Sequence, residues 1–130
     1  MIDHLSTYAT DYPRSRAFYD AVLPVLGYPR TTEMQTTRDP SWPARRMCAY
    51  GPDGKHVFWL IEVRDPVSPR HVAFSAADRA QVDAFHAAGL ASGGRDNGGP
   101  GLRPQYHASY YGSFLLDPDG NNVEAVTHRG

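Results

Sequence analysis

A chain of 130 residues, 41% apolar and 21% charged, has the size of one ordinary globular domain and can bury a core without disulfide staples. Its 13 basic and 14 acidic residues leave a net charge of −1, which excludes the electrostatic footprint of a nucleic-acid or anionic-membrane binder and leaves a small molecule or another protein as the expected partner. The single cysteine, Cys48, excludes an intrachain disulfide framework and fits a reducing, cytoplasmic setting. The longest apolar run, Val57 to Ile61, falls far short of the ~20 residues that span a bilayer. The opening Met1-Ile2-Asp3-His4 lacks the charged and apolar regions of a signal peptide.

Proline and glycine punctuate the chain into segments. Ile2 to Thr7 reads as a short strand. A helix follows, with Asp11 as N-cap, Pro13 in the first turn, and Ala17, Phe18, Ala21, Val22 and Val25 at helical spacing up to Gly27, while Pro24 breaks or tightens its last turn. Thr31 to Thr37 and Arg46 to Tyr50 read as strands, Gly51-Pro52-Asp53-Gly54 as a turn, and Val57 to Val63 as the most strand-like run. The segment Arg64-Asp65-Pro66-Val67-Ser68-Pro69 is an extended connector.

The same order of elements then restarts. His71-Val72-Ala73-Phe74-Ser75 echoes His4-Leu5-Ser6-Thr7-Tyr8, an offset of 67 residues, and in each copy a helix phenylalanine, Phe18 or Phe85, stands 14 residues after the histidine. Pro52-Asp53-Gly54 and Pro118-Asp119-Gly120 repeat at an offset of 66. The second helix runs from about Asp78 to His86 or beyond. The chain thus reads as two tandem strand-helix-strands modules, about 1–64 and 70–130 with a linker at 65–69, each too small for a comfortable core alone and therefore sharing one. From Ser92 to Pro104, five glycines and two prolines in thirteen residues argue against any regular element and for a long loop at a pocket rim.

Of six histidines, most are expected to be packing or surface residues. His4 and His71 stand apart because they hold the same place in two copies of one unit, and a pseudo-two-fold axis would bring equivalent positions together. Two imidazoles with a carboxylate make a site for a borderline divalent metal with positions left open for substrate oxygen. The carboxylate expected there is Glu124, set between Val123 and Ala125 on a short apolar strand where a charge needs a cationic partner. An outward-facing glutamate on a half-solvated strand is the bland alternative. Tyr106-His107-Ala108-Ser109-Tyr110-Tyr111 gathers an imidazole and three phenols, with His107 a candidate proton shuttle and Tyr110 a candidate donor to a developing oxyanion. Phe58, Trp59, Arg103 and Tyr111 are candidate substrate contacts. Arg45 and Arg46 could also grip a carboxylate or phosphate, although solvated surface charge is the simpler role. His86 and His128 are expected at the surface.

Ile2-Asp3-His4, Arg14-Ser15-Arg16-Ala17-Phe18-Tyr19, His71-Val72-Ala73-Phe74 and Asp117-Pro118-Asp119-Gly120-Asn121-Asn122-Val123-Glu124 together resemble the vicinal oxygen chelate superfamily of glyoxalase I, bleomycin resistance proteins and extradiol dioxygenases. The resemblance implies an α+β fold of two tandem βαβββ modules, forming a curved mixed sheet around a cavity, often in a homodimer. It implies metal ligands at His4, His71 and Glu124 and a divalent cation (Fe, Mn, Zn, Ni or Co). The fourth ligand position of glyoxalase I falls at Phe58 or Leu60, which cannot bind metal; Glu62, on the same strand face, is the alternative ligand or base. The implied function is lyase, isomerase or dioxygenase chemistry on vicinal oxygens of a small molecule. The other function the resemblance allows is metal-free binding of a drug or metabolite, as in bleomycin resistance proteins.

Overall fold

The computed structural model describes residues 1–130. The first half contributes β1 (Leu5–Ala9), α1 (Tyr12–Val22), β2 (Arg30–Thr36), β3 (Arg45–Tyr50) and β4 (Phe58–Glu62); the second contributes β5 (His71–Ser75), α2 (Arg79–Ala91), β6 (Arg95–Leu102), β7 (Tyr111–Leu116) and β8 (Asn122–Thr127). Each half closes its own mixed four-stranded sheet, in the orders β1-β4-β3-β2 and β5-β8-β7-β6, so the two tandem βαβββ modules are present and equivalent in topology. In both, the opening strand runs parallel to the last strand and the remaining pairs are antiparallel.

Local sequence accounts for most boundaries. The Asp11 carboxylate accepts the Arg14 N–H and starts α1, and the Asp78 carboxylate accepts the Gln81 N–H and starts α2, each satisfying an amide that the first turn leaves unpaired. Pro24 converts the end of α1 into a separate 3-10 turn over Pro24–Leu26, as its missing N–H and ring bulk require. β1 starts later than the sequence pattern suggests. Its parallel register begins with Leu5 opposite Phe58, and residues 1–4 are exposed, so His4 stands just before the strand.

The glycine-rich stretch departs from expectation. Instead of an irregular loop, most of it forms the edge strand β6 against β7. The register skips between Asp96 and Gly98 and again between Gly98 and Gly101, so Asn97, Gly99 and Pro100 fall outside the pairing. These bulges absorb the residues that a regular ladder rejects: Pro100 needs no partner for an N–H it lacks, and Gly98 takes a φ of 142° that a side chain would resist. The true loop is the shorter 103–110 segment between β6 and β7.

One core serves both modules. Seventeen buried residues form a single cluster, in which Phe58 meets Tyr19 at 5.2 Å and Phe74 at 5.2 Å between ring centroids. α1 packs on α2. His86, expected at the surface, is instead 8% exposed, with Nε2 2.9 Å from the Asp96 carboxylate; α2 turns it toward β6, where the acid supplies the partner that a buried imidazole needs.

The modules are also joined by polar groups. The Asp117 carboxylate accepts the N–H groups of Asp119 and Asn121, both at 2.9 Å, the Asn121 side-chain amide at 2.8 Å and, from α1 of the other module, the Tyr19 hydroxyl at 2.5 Å. Burial raises the Tyr19 hydroxyl well above the ordinary phenol range, and the facing Asp117 charge adds to this, so Tyr19 donates throughout the physiological range. Asp119 reaches across the same junction to the Thr10 N–H and hydroxyl, the latter at 2.7 Å. Tyr19→Phe leaves a buried carboxylate short of one donor without opening a large cavity, and is expected to lower unfolding free energy by about 1 to 3 kcal/mol, measured by urea denaturation.

Candidate functional site

The face of the second sheet turned away from the core carries the densest chemistry. β5 places His71 opposite Asn122, and β8 places Glu124 opposite Ala73 on one side and Phe114 on the other. The strand period of two puts Asn122 and Glu124 on the same face. Glu124 is 1% exposed. Its Oε1 lies 3.1 Å from His71 Nε2, and its Oε2 accepts the Tyr110 hydroxyl. Gly112 leaves room for that bond, since a Cβ there would come within 3.2 Å of the Tyr110 ring and 3.3 Å of Glu124 Oε2.

The proton count at His71 is instructive. Nδ1 lies 3.1 Å from the Asn122 carbonyl oxygen, which can only accept, so Nδ1 carries a proton and donates it. In the neutral ring Nε2 then presents a lone pair, and it faces a carboxylate oxygen that is also an acceptor. The gap between Nε2 and Oε1 therefore calls for a positive centre, either a proton or a cation. The Asn122 side-chain oxygen, buried and accepting no hydrogen bond, adds a third acceptor to this strand face.

Around Tyr110 the aromatic groups form a cluster. His107 stacks on His128 at 4.6 Å with an interplanar angle of 24°, and both rings present themselves edge-on to Tyr110. The Ser109 N–H donates to His107 Nδ1 at 3.1 Å, which leaves Nε2 as the protonated nitrogen of the neutral ring. Burial pushes the Tyr110 hydroxyl upward, and its bond to Glu124 pushes it further; it stays a donor at neutral pH. His128 is exposed as expected, but it belongs to this cluster; it stands one residue past the end of β8, and its even offset from Glu124 was the signal for it.

The other predicted residues distribute differently. His4 lines a cavity of about 830 Å³ on the outward face of the first sheet, together with Tyr8, Met47, His56, Trp59 and Ile61. His71 and Glu124 are absent from that lining, and the His4 Nδ1 meets Asp3 at 2.7 Å. No group of three or more His, Cys, Asp or Glu within the chain is arranged to hold a metal. Phe58 points to the core, 1% exposed, rather than to this cavity, because it alternates with Trp59. Tyr111 turns to the helix side and donates to Asp83 on α2 at 2.7 Å, the opposite face from Glu124. Arg103 lies over the Phe114 ring at 5.3 Å and donates to the Gly99 carbonyl at 2.7 Å, bracing β6.

Glu62 is committed elsewhere. Its carboxylate accepts the Arg46 Nε, at 3.1 Å, and Nη2, at 2.7 Å, in a bidentate pair; this bonding holds it below the usual glutamate range despite partial burial. Glu33, which the sequence left without a role, accepts Arg16, Arg30 and the Tyr12 hydroxyl. Arg46→Gln is expected to raise the Glu62 pKa toward the ordinary glutamate range, read by NMR titration of the carboxyl carbon. Because the lowered pKa stabilises the fold only while Glu62 is ionised, the Tm difference between wild type and this variant should narrow as pH falls from about 7 to about 3.

The matching of known proteins agrees with this architecture. The model of the Glyoxalase/Bleomycin resistance protein/Dioxygenase superfamily matches residues 1–125. A glyoxalase/bleomycin resistance protein from Albidiferax ferrireducens is similar at 28% identity and a TM-score of 0.71, covering 95% of each chain. A glyoxylase/bleomycin resistance protein/dioxygenase domain from Frankia sp. shares the fold at 14% identity and a TM-score of 0.71, covering 99% of this chain and 98% of its own. A glyoxalase I mutant from Zea mays shares it at 20% identity and a TM-score of 0.69, covering 96% of this chain, which spans 46% of that longer one. Comparison with curated proteins finds no match. With a family match that runs from the first strand through Glu124 and its outward face, the chain belongs to the glyoxalase/bleomycin resistance protein/dioxygenase superfamily.

Proposed function

We propose that the chain is a divalent-metal-dependent enzyme acting on vicinal oxygens of a small molecule, with His71 and Glu124 as two metal ligands and His4 as the third. The observation that carries this reading is the facing of two acceptors, His71 Nε2 and Glu124 Oε1, 3.1 Å apart with Nδ1 already committed to a carbonyl. An imidazole and a carboxylate so disposed suit a borderline divalent cation, and the burial of Glu124 gives the charge a reason to be matched. Because His4 lies on the outward face of the other sheet, we propose that it completes the site from a second copy of the chain, two such sites forming in a symmetric homodimer.

When bound, a divalent cation would supply Lewis-acid polarisation of the substrate oxygens. The chain's own residues then divide the remaining work. The Asn122 carbonyl holds the His71 ring in the tautomer that offers Nε2, and the Tyr110 hydroxyl holds Glu124 in place from the other oxygen. Tyr110 keeps its proton, so it orients and donates rather than acting as a base. Proton transfer falls to His107, whose neighbouring His128 ring and Nδ1 bond to Ser109 fix its plane.

Metal content and affinity of the purified protein test this reading. His71→Ala and Glu124→Gln are expected to weaken binding by about a hundredfold or more, and Tyr110→Phe by about tenfold. Unchanged affinity in His71→Ala and Glu124→Gln, or no metal bound by wild type after incubation with Zn, Mn, Fe, Co or Ni, would instead favour a binding protein of the bleomycin resistance type. Mixing His4→Ala with Glu124→Ala after subunit exchange tests the shared site: a heterodimer holds one doubly defective and one intact site, so about a quarter of sites should recover metal. No recovery would place His4 outside the site.

A further inference from the structure

We infer that the 830 Å³ cavity on the first sheet takes the organic body of the substrate and that this substrate is an elongated carboxylate with an apolar or aromatic midsection, anchored by Arg38 and Arg45. The inference deepens the proposed function by naming the substrate class, but its evidence lies in the first module alone.

Volume comes first: a cavity of this size falls in the range of small-molecule sites. The floor is apolar and aromatic, with Trp59 and Ile61 on β4 and Met47 on β3. The charged lining residues are all of one sign. Arg38 and Arg45 stand with the imidazoles of His4 and His56, and no Asp or Glu contributes. The adjacent cavity of about 550 Å³, between α1 and β2, shows the contrast. It holds Asp20 and Glu33 beside Arg16 and Arg46, and those guanidiniums are already spent, on Glu33 and Glu62.

Neither Arg38 nor Arg45 is so spent. Arg45 donates Nε to the Glu62 carbonyl at 2.7 Å and lies over the Trp42 ring at 5.5 Å, which fixes the arm while leaving its terminal nitrogens available for a bidentate acceptor. The nearest acid in sequence, Asp39, accepts the Ser41 N–H at 2.9 Å and hydroxyl at 2.6 Å through one oxygen, Oδ1; its charge is near enough to act on Arg45, but no ion pair joins it to Arg45 or Arg38. The adjacent arginines of the Arg45-Arg46 pair therefore have opposite fates, as strand alternation requires: Arg46 closes an ion pair and Arg45 reaches the cavity.

Register sets the ligand's length. Leu5 pairs with Phe58 and Met47 with Ile61, so His4 and Arg45 lie at opposite ends of the cavity, roughly 20 Å apart at the backbone. A molecule with its oxygens near His4 and a carboxylate at Arg45 must be extended, and its middle lies across Trp59.

Calorimetric titration of EDTA-dialysed protein tests this without any metal. The probes are 4-phenylbutyrate and indole-3-butyrate, each against its primary amide. The acids are expected to bind about tenfold more tightly than the amides, the Arg38→Gln/Arg45→Gln double variant to bind acid and amide alike, and Arg95→Gln, on the far edge strand, to behave as wild type. Equal affinity for acid and amide in wild type, no saturable binding of either, or discrimination retained in the double variant would overturn the proposal. Since no metal is present, these outcomes are independent of whether His71 and Glu124 hold one.

Discussion

The Asp117 carboxylate is the constraint on which the arrangement of the two modules depends. It is 2% exposed, and a buried carboxylate is tolerable only when donors occupy its lone pairs. Three of its donors come from its own turn and the fourth, Tyr19, from the other module. The same turn therefore shapes the chain before β8 and ties it to α1, and Asp119 repeats the tie at Thr10. Asn121 extends it by accepting the Arg70 N–H at 2.8 Å, which sets the entry into β5 next to the start of β8. His71 and Glu124 owe their juxtaposition to that register.

The two halves match in topology but not in chemistry. Where the second module has Asp117, the first has Gly51 at the equivalent offset, and Pro52-Asp53-Gly54 forms a 3-10 turn with Asp53 exposed. The first module thus receives the junction bond rather than making one. Its outward face carries a cavity of arginines, imidazoles and apolar side chains, whereas the second carries the buried carboxylate with its imidazole. The outward face of the first module therefore presents positive charge, and that of the second a buried carboxylate beside an imidazole.

Several features were legible from residue order because they depend on local physics. The caps at Asp11 and Asp78 and the break at Pro24 follow from hydrogen-bond deficits at helix ends and from proline's missing donor, and the duplicated strand-helix-strands order follows from landmarks repeated at offsets of 66 and 67 residues. The strand status of β6 was hidden, because glycine and proline argue against a ladder until a neighbouring strand supplies partners and bulges take up the misfits. His86 and Glu33 were equally hidden. Their partners Asp96 and Arg16 come from other elements, and only Arg30 shares the strand with Glu33; no spacing rule connects a helix residue to a particular strand residue.

Residue order alone determined the two tandem strand-helix-strands modules and the family resemblance, since periodicity and repetition survive without coordinates. Tertiary structure decided which way each of two adjacent side chains turns, separating Trp59 at the first-sheet cavity from Phe58 in the core, Arg45 at that cavity from Arg46 on Glu62, and Tyr110 on Glu124 from Tyr111 on Asp83. It also decided that His71 reaches Glu124 while His4 lies on the outward face of a different sheet. The reason is geometric: side-chain direction reverses at every strand residue, so a shift of one position in register, invisible in composition, moves a group from one face to the other.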